Sequence, residues 1–142
     1  VRATLPSLTP EGLDQVTDAA LRAAGLSTRK IEYARGLALA TQTGTLLIDQ
    51  LSGLEDAQVI EHITRLRGFG VWSAEIYCLF SLGRPDIFPA DDLALQIALA
   101  RLKGLEVKPT PKAARALTQH WQPYRSAGAL FLWHYYHEIP KV

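Results

Sequence analysis

The chain has 142 residues, enough for one hydrophobic core, and its 48% hydrophobic and 20% charged residues are ordinary for a globular protein. A net charge of +1 excludes a strongly basic nucleic-acid binder, so any DNA contact has to come from local geometry. The single cysteine, Cys78, excludes an internal disulfide and any multi-cysteine zinc or iron–sulfur site made by this chain alone.

Helix signals recur along the chain and strand signals do not. Thr9-Pro10-Glu11 reads as an N-cap with proline in the first turn, opening a helix that runs to a stop at Gly25. Ser27 caps a second stretch with Ile31, Ala34, Leu37, Ala38 and Ala40 roughly on one face, ended by Gly44. Leu47, Leu51 and Leu54 suggest a short helix and turn. Val59, Ile60, Ile63 and Leu66 form an apolar stripe that stops at Gly68. A helix restarts from Val71 to about Leu82, with Ile76, Leu79 and Phe80 on its apolar face. Gly83-Arg84-Pro85-Asp86 is a loop, and Pro89 keeps the chain extended ahead of Asp91 and Asp92. Leu93, Leu95, Ile97, Ala98 and Leu102 make the next helix, closed by Gly104. Thr110-Pro111 opens another, and Pro123 opens the last, which carries Leu130 to Tyr136. The expectation is one all-α domain over residues 1–142. No apolar run approaches the ~20 residues of a membrane span, and no signal peptide is visible, so a membrane-free intracellular setting, cytoplasm or nucleoid, is expected.

The hairpin at about residues 64–73 is the first feature with chemical promise. Gly68 and Gly70, one residue apart, allow positive φ and a close approach of the backbone to a partner. The helix that follows presents free N–H groups at its N-terminus, where the macrodipole favours an anion such as a DNA phosphate. A helix–turn–helix junction whose glycines merely cap and tighten a turn fits the same spacing.

Three ordered motifs carry a resemblance. LRGFGVWSA (66–74) resembles the hairpin of the helix-hairpin-helix DNA glycosylase superfamily (HhH-GPD), and Asp92 stands 20 residues past Trp72, where that family keeps its catalytic aspartate. WQPYRSAGALFLW (121–133) and GLSTRK (25–30) resemble the 3-methyladenine DNA glycosylase II branch. The resemblance implies a monofunctional enzyme that excises alkylated purines such as 3-methyladenine and 7-methylguanine from double-stranded DNA, acting as a monomer. It implies that backbone amides of Gly68, Gly70 and Ser73 hold a phosphate. Carbonyls of Thr64, Leu66 and Phe69 would coordinate a structural sodium or potassium ion. No cofactor is needed for the chemistry, and the iron–sulfur cysteines of some relatives are missing. Trp72 occupies the position of the Schiff-base lysine of bifunctional relatives; an indole cannot form an imine. The match enters the family domain partway, and the chain starts at Val1 without a methionine. A fragment lacking the opening helices, with weak or no activity alone, is therefore expected.

At the carboxylates, the residue pattern alone suggests an N-cap and its neighbour; Asp91 is assigned the cap and Asp92 the catalysis. Breaking an N-glycosidic bond develops oxocarbenium character at C1′, which a carboxylate stabilises while it orients or deprotonates water. Asp92→Asn is expected to keep the fold and to lower excision by several orders of magnitude. Trp72 and Trp133 match the base-stacking tryptophans, and Tyr77 is placed nearby; Trp121 is assigned to the core. Ile76 replaces an aromatic of well-known relatives, which bears on lesion range. Arg125 is a candidate phosphate ligand, and His62, His120, His134 and His137 lack metal-ligand spacing. The competing readings are a non-catalytic helix-hairpin-helix DNA-binding module, with Asp92 only a cap, and an interaction domain without DNA affinity.

Overall fold

The computed structural model describes residues 2–138, and among these every regular element is helical. Two compact units, residues 1–70 and 71–142, divide inside the hairpin segment.

The first unit contains α1 (Pro10–Asp14), α2 (Asp18–Ala23), α3 (Thr28–Gln42), α4 (Ile48–Leu51) and α5 (Asp56–Thr64). Thr9, Thr17 and Ser27 each turn a side-chain oxygen onto an amide three residues on, so each helix start is fixed by its own cap. The predicted continuous helix up to Gly25 is in fact two short ones. The break follows from Arg35 on α3, whose guanidinium donates to the carbonyls of Leu13 and Val16, both at 2.5 Å. These carbonyls thus find a partner without continuing the helix, and Thr17 starts a new one. Leu21, Ile31, Ala38, Leu51, Val59 and Ile63 are buried, so the stripe predicted on α5 faces inward at Val59 and Ile63. After α5 the chain turns at Gly68, with φ +91°. A Cβ there would lie 2.3 Å from Tyr33 Cγ, so only glycine admits the ring.

The second unit contains α6 (Val71–Phe80), α7 (Leu93–Lys103), α8 (Pro111–Thr118), a 3₁₀ turn (Gln119–Trp121) and α9 (Arg125–Glu138). α6 closes where Ser81 and Leu82 both donate to the Tyr77 carbonyl and Gly83 takes φ +63°, two residues short of the predicted end. α7 ends at Gly104 with φ +65°, and Thr110 caps α8 with proline in its first turn, both as expected. α9 begins at Arg125, two residues after Pro123. α7 packs along α9, burying Leu95, Ala98 and Leu99 together with Ala129 and Leu132. Trp121 lies against Gly128, where a Cβ would meet its ring at 2.4 Å, and edge-on to Phe88 at 6.1 Å. Between α6 and α7 runs an irregular segment, residues 81–92, whose Ile87 to Ala90 are all buried. Buried irregular backbone needs explicit partners for its polar groups. Those partners define the site.

Candidate active site

Asp92 is the N-cap of α7. Its Oδ1 accepts from the Leu95 amide at 3.0 Å, and its own amide donates to the Pro89 carbonyl at 3.0 Å. This corrects the expectation that Asp91 caps the helix. Asp91 instead points toward Arg115, with Oδ2 3.7 Å from Nη2. The cap went to the residue whose backbone is extended (φ −71°, ψ 120°), and the charge on α8 draws its neighbour away.

Capping accounts for only part of what Asp92 does. Trp72 Nε1 donates to Oδ2 at 3.0 Å, and Trp133 Nε1 donates to Oδ1 at 3.2 Å. Two indoles, from α6 and α9, converge by their edges on one carboxylate. An ionised carboxylate has about four acceptor positions, so three donors leave about one open. The surroundings are wet and aromatic: Trp72 is 45% exposed and Phe80 60%. Phe80 stacks on Trp133 with ring centroids 5.5 Å apart and planes 28° from parallel, which covers one face of that indole. The use of both tryptophans as hydrogen-bond donors to Asp92 was not foreseen in the sequence, where only their faces were considered. Phe80 was assigned to an apolar helix face and instead stands largely in solvent, stacked on Trp133. Tyr77 is half-buried and five residues after Trp72, about 140° further round α6 at 3.6 residues per turn, so the two project from different sides of the helix.

The segment that presents Asp92 is held by polar side chains from three helices. Gln96 Nε2 donates to the Ala90 carbonyl at 2.6 Å, and Lys108 Nζ in turn donates to Gln96 Oε1 at 2.8 Å. Ser126 Oγ accepts from the Ile87 amide at 2.9 Å and donates to the Arg84 carbonyl at 2.6 Å. Arg125, a predicted phosphate ligand, is committed to Asp86 through a two-pronged pair at 2.8 and 3.0 Å. This correction has a clear physical reason, since a planar guanidinium matches a carboxylate edge. The Arg125 hydrogen bonds hold the Asp86 carboxyl below its usual range.

Glu75, on α6 one turn past Trp72, is buried at 4% exposure and bonds Arg115 Nη1 through Oε1 at 2.9 Å. Burial pushes its carboxyl above the usual range, and Arg115 opposes that shift. Its Oε2 is buried without a hydrogen-bond partner among the described residues. The same Arg115 nitrogen donates to the Phe88 carbonyl at 3.2 Å. Sequence reasoning passed over both residues. The available signal was an acid on the same stripe of α6 as the buried Cys78 and Leu79.

Of the hairpin residues, Gly68 and Gly70 end the first unit, and Ser73 lies in the first turn of α6. Gly70 does not share the positive φ of Gly68, and no atom of the described residues lies within 4 Å of where its Cβ would stand. Of the candidate cation ligands, Thr64 ends α5, and the Leu66 carbonyl accepts from the Phe69 amide at 3.1 Å. A carbonyl has two lone pairs, so Leu66 keeps one acceptor position after this bond. Among the described residues no cluster of His, Cys, Asp or Glu suits a metal, and no helix is long and apolar enough to cross a membrane.

The model of the HhH-GPD superfamily base excision DNA repair protein matches residues 2–123. DNA-3-methyladenine glycosylase 1 of Schizosaccharomyces pombe is 33% identical over 126 residues, covering 88% of this chain and 55% of its own length. A solved S. pombe 3-methyladenine DNA glycosylase in complex with abasic DNA superposes with a TM-score of 0.82 at 34% identity, covering 88% of this chain and 61% of the other. A DNA-3-methyladenine glycosidase structure from Bacillus halodurans gives 0.79 at 38% identity, with 90% and 59% covered. This chain thus spans about half the length of the relatives it matches. The all-α architecture, the hairpin sequence and the Asp92 site stand together in a chain that belongs to the HhH-GPD superfamily of base excision DNA repair proteins.

Proposed function

We propose that this chain carries the catalytic residues of a monofunctional DNA glycosylase that hydrolyses the N-glycosidic bond of alkylated purines, such as 3-methyladenine and 7-methylguanine, in duplex DNA. The observation that supports it most is the half-exposed carboxylate of Asp92 held by the edges of two tryptophans. An indole whose N–H is bound to Asp92 still offers a ring face to a base. Trp72 has exposed surface to do so, whereas one face of Trp133 is covered by Phe80. An alkylated purine carries positive charge, and stacking on such a ring contributes about 0.5–2 kcal/mol. The same charge makes the base a good leaving group. Flipping it from the duplex costs a few kcal/mol, least where the pair is already weakened.

In this reading Asp92 stands beside C1′ of the flipped nucleotide. As the bond from C1′ to the base nitrogen breaks, its negative charge stabilises the oxocarbenium ion. The remaining acceptor position orients a water, whose oxygen bonds C1′ and whose proton is lost toward Asp92. The products are free base and an abasic site. Trp72 has no amine with which to form an imine, so strand cleavage by a lyase step is not expected. Backbone amides of Gly68, Gly70 and Ser73 are proposed phosphate ligands, and the open space at Gly70 supports this for its part. A sodium or potassium ion, when bound, would be held by the carbonyls of Thr64, Leu66 and Phe69 and would add positive charge near that phosphate.

The cap bond from Asp92 to Leu95 favours a second reading, a DNA-binding module in which the carboxylate is structural. The two are separated by incubating methylated duplex DNA with the protein and assaying released base. Base release that vanishes in Asp92→Asn supports the enzyme; salt-dependent binding without release supports the module.

A further inference from the structure

A cluster around Arg115 has no role in the chemistry just described. Its guanidinium touches three groups: the buried carboxylate of Glu75 at 2.9 Å, the carbonyl of Phe88 at 3.2 Å and the carboxylate of Asp91 at 3.7 Å. The first belongs to α6, the helix that bears Trp72. The other two belong to the irregular segment that ends in Asp92. Arg115 thereby ties the helix supplying one indole donor to the backbone supplying the carboxylate that accepts from it. Stability alone explains this cluster poorly. A buried ion pair is often no better than an apolar pair of the same volume. Here one carboxylate oxygen, Glu75 Oε2, is moreover left buried without a hydrogen-bond partner among the described residues.

We infer that Arg115, anchored by Glu75, is a positioning residue that sets the distance and angle between Trp72 and the Asp92 carboxylate. The inference takes its functional meaning from the glycosylase reading, but its geometry can be tested without it. Arg115 holds the Phe88 carbonyl and the Asp91 side chain, and Gln96 holds the Ala90 carbonyl between them. Releasing the Arg115 end lets the segment shift while its other anchors persist. A displacement of about 1 Å at a reacting group can cost on the order of a hundredfold in rate.

The variant that separates positioning from mere support is Glu75→Leu with Arg115→Met, which removes the pair without leaving a buried charge. Its melting temperature is expected to equal or exceed that of the 142-residue parent. The indole N–H resonances of Trp72 and Trp133, assigned by single Trp→Phe variants, report the two bonds to Asp92. The Trp72 resonance is expected to move toward the position of a free, solvent-exposed indole and to exchange faster with water. Arg115→Lys, which keeps a positive charge for Glu75 but loses the planar fork, should move it part of the way. Unchanged indole resonances in the folded double variant would overturn the inference. Asp92→Asn in the base-release assay bears on the glycosylase reading alone, so the two can fail separately.

Discussion

Each unit of this protein contains an arginine that grips the carbonyls of an irregular joint, and the two are built differently. Arg35 in the first unit holds Leu13 and Val16 at the break between α1 and α2. Its acidic partners, Asp14 and Asp18, are 51% and 54% exposed. Arg115 in the second unit holds Phe88, and the side chain of its main partner, Glu75, is 5% exposed. The contrast extends beyond the two side chains. Among the described residues the buried polar or charged side chains are Glu75, Gln96, Thr118 and Ser126, all in the second unit. Three of these belong to the bonds that hold residues 84–91. Surface ion pairs suffice to shape a helix break. Buried polar side chains, of which Glu75 is the charged one, are concentrated where backbone must deliver a carboxylate to a fixed point.

The comparison is sharpened most by removing each arginine. Arg115→Ala leaves Glu75 buried and unpaired, and a loss of about 3–5 kcal/mol is expected in urea denaturation. The equivalent Arg35→Ala loses two carbonyl contacts and exposed ion pairs, with an expected cost of about 1–2 kcal/mol. Equal losses would break the distinction between the two clamps.

The hairpin glycines divide in the same way. Gly68→Ala has to adopt φ +91° and displace Tyr33, so a loss of about 1–3 kcal/mol is expected. Gly70→Ala meets nothing within 4 Å and should alter stability by less than about 0.5 kcal/mol, while weakening DNA binding in a gel-shift titration. A large stability loss at Gly70 would make it a second structural glycine.

The smallest expected effect is a pH dependence. Arg125 lowers the Asp86 carboxyl pKa in the folded state, so its contribution is complete above the unfolded value and is lost as pH falls through the folded one. Glu75 has the opposite sign: its folded pKa is raised, so the cost of its charge is present above that pKa and relieved on acidification. Denaturation measured across the acid range should therefore show a shallower loss of stability in Asp86→Asn than in the parent. A steeper loss in Asp86→Asn would contradict the assignment.

Much of the fold was legible because helix ends are local. Ser27, Gly104 and Thr110-Pro111 specify their termini within four residues, and α3, α7 and α8 follow them. What was not legible depends on partners far along the chain. The α1–α2 break is set by Arg35, 19 and 22 residues from the carbonyls it binds. Arg125 looked free for phosphate until Asp86, 39 residues away, was seen to hold it. Asp91 and Asp92 are equally able to cap; Arg115 takes one, and the tryptophan donors take the other. Asp92 itself was singled out only by the family resemblance, which places it 20 residues past Trp72. Its bonds to two indole edges required the fold.

The central claim, that Asp92 acts in catalysis and is more than a helix cap, is tested most directly by the single Asp92→Asn substitution. Asparagine keeps an oxygen for the Leu95 amide, so the cap and the fold should survive, but it places an NH₂ or loses charge at the Trp72 and Trp133 contacts. Single-turnover release of 3-methyladenine from methylated duplex DNA, at matched DNA occupancy, is predicted to fall by about a hundredfold or more relative to the parent chain. Release by the variant at the parent rate would contradict the account.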